Sequence, residues 1–138
     1  MDFNGGTVEH LPRNECLRLL GQVPVGRIVF TRQAMPAVEL VNFAMDDGDI
    51  VIRTDSGGKL AAATRGAVVA FEAGSVDMVT YAGWSVTIVG YSQPVIDGTE
   101  FSRLELVGLK PWAPGEHDHF IRIAPTIVDG RRLAAKPG

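Results

Sequence analysis

The segment Arg53-Thr54-Asp55-Ser56-Gly57-Gly58-Lys59 gathers two cations, two hydroxyls and two glycines where a β-rich run passes into an alanine-rich one. That combination suits an anion. Amides at a helix start have no partner within the helix and carry the positive end of its dipole, and glycine lets a phosphate approach them with no Cβ in the way. Arg53 adds a forked, bidentate donor and Lys59 a point charge. The same composition suits a capped turn with solvated cations equally well. The G-x-x-x-x-G-K-[ST] spacing is absent, so an NTPase is not indicated, and no G-x-G-x-x-G follows a strand.

Other chemistry-bearing residues are weaker. His117-Asp118-His119 can place two imidazoles on one face of a strand, but two ligands do not make a metal site, and surface histidines are the more ordinary reading. Gly83-Trp84-Ser85-Val86-Thr87 lacks the second glycine of a nucleophile elbow and leads into no helix, which disfavours a serine hydrolase. Cys16 lies in a leucine-rich stretch and reads as a core residue.

The elements that must position these residues are mostly strands. Residues 1–9 are polar and aperiodic and read as a mobile arm ahead of one domain over 10–138. Pro12 can open a short helix carrying Cys16 that Gly21 closes. Val25 to Thr31 and Ala37 to Met45 read as paired strands joined through a connection containing Met35-Pro36. Asp46-Asp47-Gly48-Asp49 then folds Ile50 to Thr54 back as a hairpin. A short helix capped by Ser56 follows over Lys59 to Thr64. Ala67 to Glu72 and Trp84 to Ile96 read as the next strands, with Gly90 as a bend or bulge. Thr99 can cap a helix over Glu100 to Val107, and His119 to Ile123 forms a last strand before Arg131-Arg132 in the tail. Six strands with short connections fit a small antiparallel barrel with helices on its rim, or alternatively an open α+β sheet.

Composition narrows the class. A chain of 138 residues with 46% hydrophobic and 21% charged residues is ordinary for a globular protein and large enough to need no disulfide or metal staple. Thirteen basic against 16 acidic side chains give a net charge of -3, the wrong sign for a protein that neutralises a nucleic-acid backbone. No leader pattern and no bilayer-length apolar run is visible, so a cytoplasmic protein is expected, and a single cysteine agrees with a reducing compartment.

Several segments, in order, resemble the flavin-binding split-barrel family typified by pyridoxamine 5'-phosphate oxidase, and in particular its small actinobacterial-type relatives. They are Glu15 to Leu20 followed by Val25 to Phe30, Val41-Asn42-Phe43, Ile52-Arg53-Thr54 with Gly58-Lys59-Leu60, and Val69 to Glu72. Gly83-Trp84-Ser85-Val86 with Gly90, Lys110-Pro111-Trp112, and Arg122-Ile123 with Gly130-Arg131-Arg132 complete the set. The resemblance implies a mostly β fold: a six-stranded antiparallel Greek-key split β-barrel with two or three short helices. It also implies a homodimer with cofactor sites at the subunit interface, and FMN as the usual cofactor. By the same resemblance Arg53, Thr54, Ser56 and Lys59 match the phosphate-binding stretch, and Val41, Asn42 and Phe43 the strand along the isoalloxazine ring. Trp84 and Ser85 match a segment that reaches the cofactor from the other subunit. Leu40 stands where relatives frequently carry proline, which bears on the ring contacts.

Each assignment has a plainer counterpart. Asn42 shares a strand face with Val38 and Leu40 and is either a satisfied buried amide or a partner for a flavin edge. Trp84 alternates in phase with Val86 and Ile88, a core signature, and Trp112 between prolines reads as a loop anchor or dimer contact. The function expected is an oxidoreductase passing hydride or electrons to a small organic acceptor, with the chemistry carried by the cofactor and the catalytic residues unassigned. The alternatives are a deazaflavin-dependent reductase, a non-catalytic flavin-storage protein, and a haem-binding relative in which His119 could ligate iron. An acidic deazaflavin tail calls for a further basic groove, and beyond Arg65 and Arg131-Arg132 no such cluster is evident, which favours FMN. A small-molecule substrate is expected, and neither nucleic acid nor membrane as partner.

Overall fold

A computed structural model of the chain describes residues 6–54, 59–109 and 119–134. In chain order these carry β1 (Thr7–Leu11), α1 (Arg13–Leu20), β2 (Val25–Arg32), β3 (Met35–Asp46), β4 (Asp49–Thr54) and α2 (Lys59–Thr64). Then come β5 (Ala67–Val76), β6 (Gly83–Pro94), α3 (Gly98–Glu105) and β7 (His119–Ala134). The strands are antiparallel in the order β1-β7-β4-β3-β2-β5-β6, and β6 returns to pair with β7. Six strands therefore close into the ring expected of the split barrel, and β1 adds a seventh along β7.

Turn chemistry sets the registers. Asp47 and Gly48 both have positive φ, 51° and 81°, and join Asp46 to Asp49 as a two-residue turn whose twist matches that of the strands. The β2–β3 turn is likewise two residues, Gln33 and Ala34, with φ of 52° and 64°. Met35 and Pro36, expected in that connection, instead begin β3 and pair with Arg32 and Thr31. Pro36 is accommodated because β4 reaches only Phe43 to Asp46 of β3, so its missing N–H falls on a free edge.

Alternation sends Ile28, Phe43, Ile50, Ile52, Phe71, Val86, Ile88, Ile121 and Ile123 into one interior, where Phe43 and Phe71 meet edge to face at 4.7 Å. Gly90 lies at a register shift, where Val89 faces Ile127 but Gly90 faces Pro125, and a Cβ there would collide with the Ala124 carbonyl.

Further boundaries differ from the sequence expectation: β5 runs to Val76 rather than Glu72, β6 ends at Pro94 rather than Ile96, and α3 spans Gly98–Glu105 rather than Glu100 to Val107. Residues 7–9, read as part of an arm, are strand, ordered by cross-strand pairing of Thr7 to Leu11 with Gly130 to Ala134. The last strand continues past Ile123 to Ala134, because Pro125 falls at the bulge and Gly130 at a point where a side chain would strike Cys16. The cap of α3 is Asp97, whose Oδ1 accepts from the amides of Thr99 and Glu100, rather than Thr99 itself. Ser56, expected to cap α2, lies outside the described residues.

Candidate functional site

The hairpin register that pairs Phe43 with Ile52 turns both side chains inward and leaves Asn42 and Arg53 as the next positions on the outer face of adjacent strands. Outside β4, Val51 and the β7 residue Phe120 pack with Leu104 of α3 into a second small core, joined by Phe101, whose ring meets Phe120 at 5.1 Å. Arg53 lies over the Phe120 ring at 5.1 Å and donates through Nη1 to the Leu109 carbonyl at 3.3 Å. Leu109 in turn lines, with Pro24, Asn42, Phe43, Ala44, Val107 and Gly108, a cavity of about 390 Å³. The Asn42 amide is thus brought to a mostly apolar recess between β3 and the chain leaving α3, in the size range of small-molecule sites, and the Arg53 guanidinium is bonded to its lining residue Leu109.

The wall of that recess is anchored by ions. Arg103 of α3 donates to both carboxylate oxygens of Asp46 at 2.9 Å. Arg122 of β7 donates to Asp46 Oδ2 at 2.7 Å, to the Asp46 carbonyl at 3.2 Å, to Asp49 at 3.2 Å and to Glu100 at 2.9 Å. Hydrogen bonds from Arg103, then from Arg122, hold the Asp46 carboxyl well below the usual carboxylate range. The sequence reading took Asp46 and Asp49 as turn acceptors and gave Arg122 no role at the site. The available signal was an arginine between two inward isoleucines of a strand, which has to find anions on the outer face.

The remaining candidates scatter by the logic of alternation. Val41 and Phe43 are buried at 6% and 3% exposure, so only their backbone is offered outward. Leu40 sits outside, opposite Arg27 of β2, and is partly exposed. Thr54 faces inward at the end of β4, and its hydroxyl has no hydrogen-bond partner among the described residues. Lys59 opens α2, but its side chain, like Ser56, lies outside the described residues. Trp84 and Ser85 are on β6, whose neighbours are β5 and β7, so within one chain they stand across the ring from Asn42 on β3, with β7 between them and Arg53 on β4. Trp84 packs half-buried against the main core. Trp112, His117 and Asp118 lie outside the described residues, among which no cluster of three metal-ligating side chains occurs. His119 pairs across from Thr54. Cys16 is fully buried, its Sγ 3.6 Å from the Leu11 carbonyl, and burial pushes its thiol up. No helix among the described residues is long and apolar enough to cross a membrane.

Residues 12–132 match the family model for pyridoxamine 5'-phosphate oxidase. An uncharacterized protein of Mycobacterium tuberculosis is 39% identical over 133 residues, covering 93% of this chain and 87% of its own. A Corynebacterium glutamicum structure named after pyridoxamine 5'-phosphate oxidase superposes with a TM-score of 0.81 at 30% identity over 99% of each chain. The structure of an FAD-binding protein from Mycobacterium smegmatis superposes with a TM-score of 0.70 at 31% identity, over 91% of this chain and 98% of that one.

Proposed function

Because the chain belongs to the pyridoxamine 5'-phosphate oxidase-like family, we propose that it is a flavin-dependent oxidoreductase, with FMN as cofactor and a small organic molecule as acceptor. The observation that carries this reading is a recess of about 390 Å³ that has Asn42 in its lining and Arg53 bonded to the carbonyl of its lining residue Leu109. A recess walled by Pro24, Ala44, Val107 and Leu109 with one amide suits a flat aromatic ring that has a single polar edge to satisfy. The bound flavin supplies the hydride and electron chemistry. The protein's part is to bind and orient. Arg53 and Lys59 hold the phosphate, the Thr54 hydroxyl, which has no partner among the described residues, and Ser56 complete its hydrogen bonds, and Asn42 with the outward backbone of Val41 and Phe43 faces the ring. FAD is the second reading, favoured by the name of the Mycobacterium smegmatis relative.

The second part of the proposal is a homodimer in which Trp84 and Ser85 of one copy complete the site of the other. Supporting it, Val38, Val29, Ala70, Val89 and Ile127 form a direct cross-strand row over five strands on the outer face, with Val38 and Ile127 each 60% exposed. A contiguous apolar band of this kind is characteristic of a surface meant to be covered.

The test is mass spectrometry of the small molecule that copurifies with the protein, followed by titration of stripped protein with FMN and FAD. Arg53→Ala and Lys59→Ala are each expected to weaken flavin binding about tenfold, as for loss of a charge-assisted hydrogen bond, with the fold retained. Unchanged FMN and FAD affinity in the double variant would remove the site assignment.

A further inference from the structure

We propose that Asp46 is a positioning residue for the recess: by gripping Arg103 it fixes the run Val107 to Leu109 against Asn42 and so sets the width of the slot a flat ring enters. The inference rests on the flavin reading for the identity of the ring, and on the geometry alone for the grip. Among the described residues, the apolar packing of α3 rests on Leu104 and Phe101. Leu104 at 1% exposure and Phe101 against Phe120 hold the helix to the sheet, but such contacts are non-directional and tolerate sliding. The ionic contacts are directional. Arg103 meets Asp46 as a two-point fork at 2.9 Å, and Arg122 joins that carboxylate to Glu100, one turn earlier on the same helix face. The helix is therefore tied at two points to the hairpin that also carries Asn42, four residues before Asp46 on β3.

The grip is transmitted by the backbone. The Leu106 amide donates to the Arg103 carbonyl and the Val107 amide to the Leu104 carbonyl, both at 3.1 Å. Gly108, with φ of +80°, then turns the chain so that the Leu109 carbonyl meets Arg53. The wall is held at one end by Asp46 through Arg103 and at the other by Arg53. A displacement of α3 moves Val107 and Leu109 relative to Asn42, and the slot changes width.

Purified full-length Asp46→Asn, Arg103→Gln and Asp46→Glu are compared with the parent chain, with Arg18→Gln as a control that breaks a remote ion pair to Glu15 on α1. Hydrogen exchange at the Val107 amide in the flavin-free protein is read against amides of β6. Flavin affinity and the position of the bound flavin's visible absorption bands are read by FMN titration. Asp46→Asn and Arg103→Gln should speed Val107 exchange relative to β6, weaken FMN by about three- to tenfold and shift the bands, while Asp46→Glu restores much of the loss and Arg18→Gln does none of this. If the parent chain binds neither FMN nor FAD, the flavin reading fails and the grip stands or falls on the exchange measurement. Unchanged Val107 exchange in both variants, or an equal FMN loss in Arg18→Gln, overturns the proposal.

Discussion

Two stretches of the barrel's outer surface solve the same problem in opposite ways. Over β4 and the start of β7, the outward residues Val51 and Phe120 are covered by the chain's own helix α3, and that cover is fastened with arginine–carboxylate pairs. Over β3, β2, β5, β6 and β7 the outward row Val38, Val29, Ala70, Val89 and Ile127 leaves Val38 and Ile127 each 60% exposed, and beside it Arg27 pairs with Glu72 within the sheet at 3.4 Å. The two surfaces differ in what covers them. In the first the cover is intramolecular and directional, so it leaves a shaped recess at its margin. In the second, the cover would come from the second copy of the homodimer proposed above. The recess lined by Asn42 sits at the border of the self-covered region, where in the proposed homodimer a second chain would close over it.

Three experiments break or sharpen that contrast. The largest effect is expected from Leu104→Ala, which empties a buried position under α3 and should cost about 2–5 kcal/mol of stability, read as a lower urea midpoint. A loss below about 1 kcal/mol would mean that α3 is not an integral cover. Next, the double change Val38→Asp and Ile127→Asp should leave the thermal midpoint nearly unaltered but weaken self-association by about two orders of magnitude in analytical ultracentrifugation, since like charges would be forced into a desolvated contact. Dimers of parental affinity in that variant would place the second copy elsewhere. The smallest effect concerns pH. Asp46 has a folded-state value depressed below the ordinary 3.8, so its contribution is complete above that value and drains away as pH falls beneath it. The gap in urea midpoint between parent and Asp46→Asn should therefore be constant from pH 7 to 4.5 and shrink below about 3.8. A gap still undiminished at the lowest measurable pH contradicts the assignment.

How much of this could be read in the sequence follows the range of each interaction. The Asp46–Asp49 turn was legible because its chemistry is local, and that turn alone fixes the register that brings Asn42 beside Arg53. The α1 boundaries were legible from Pro12 and Gly21 for the same reason. The edge strand β1 was not, since nothing within residues 7–11 orders them and their partners lie at Gly130 to Ala134. The outer half of β7 was hidden by Pro125 and Gly130, which look like interruptions until the bulge and the close approach to Cys16 give each a place. The ionic grip on α3 was invisible because its members are 57 and 76 residues apart, and the Leu109 carbonyl that receives Arg53 is 56 residues from it. Sequence pattern located the cation and the amide. It did not locate the wall that makes a recess of them.

Gly130 gives the chain a built-in clock. The sulfur of Cys16 is fully enclosed, and the ceiling above it is a glycine where any side chain would collide with the thiol. An alkylating reagent can reach that sulfur only after the packing around it, which includes Leu11 of β1 and Gly130 of β7, has opened. The rate at which the sole thiol of the protein is labelled therefore counts openings of the barrel end, without any added probe.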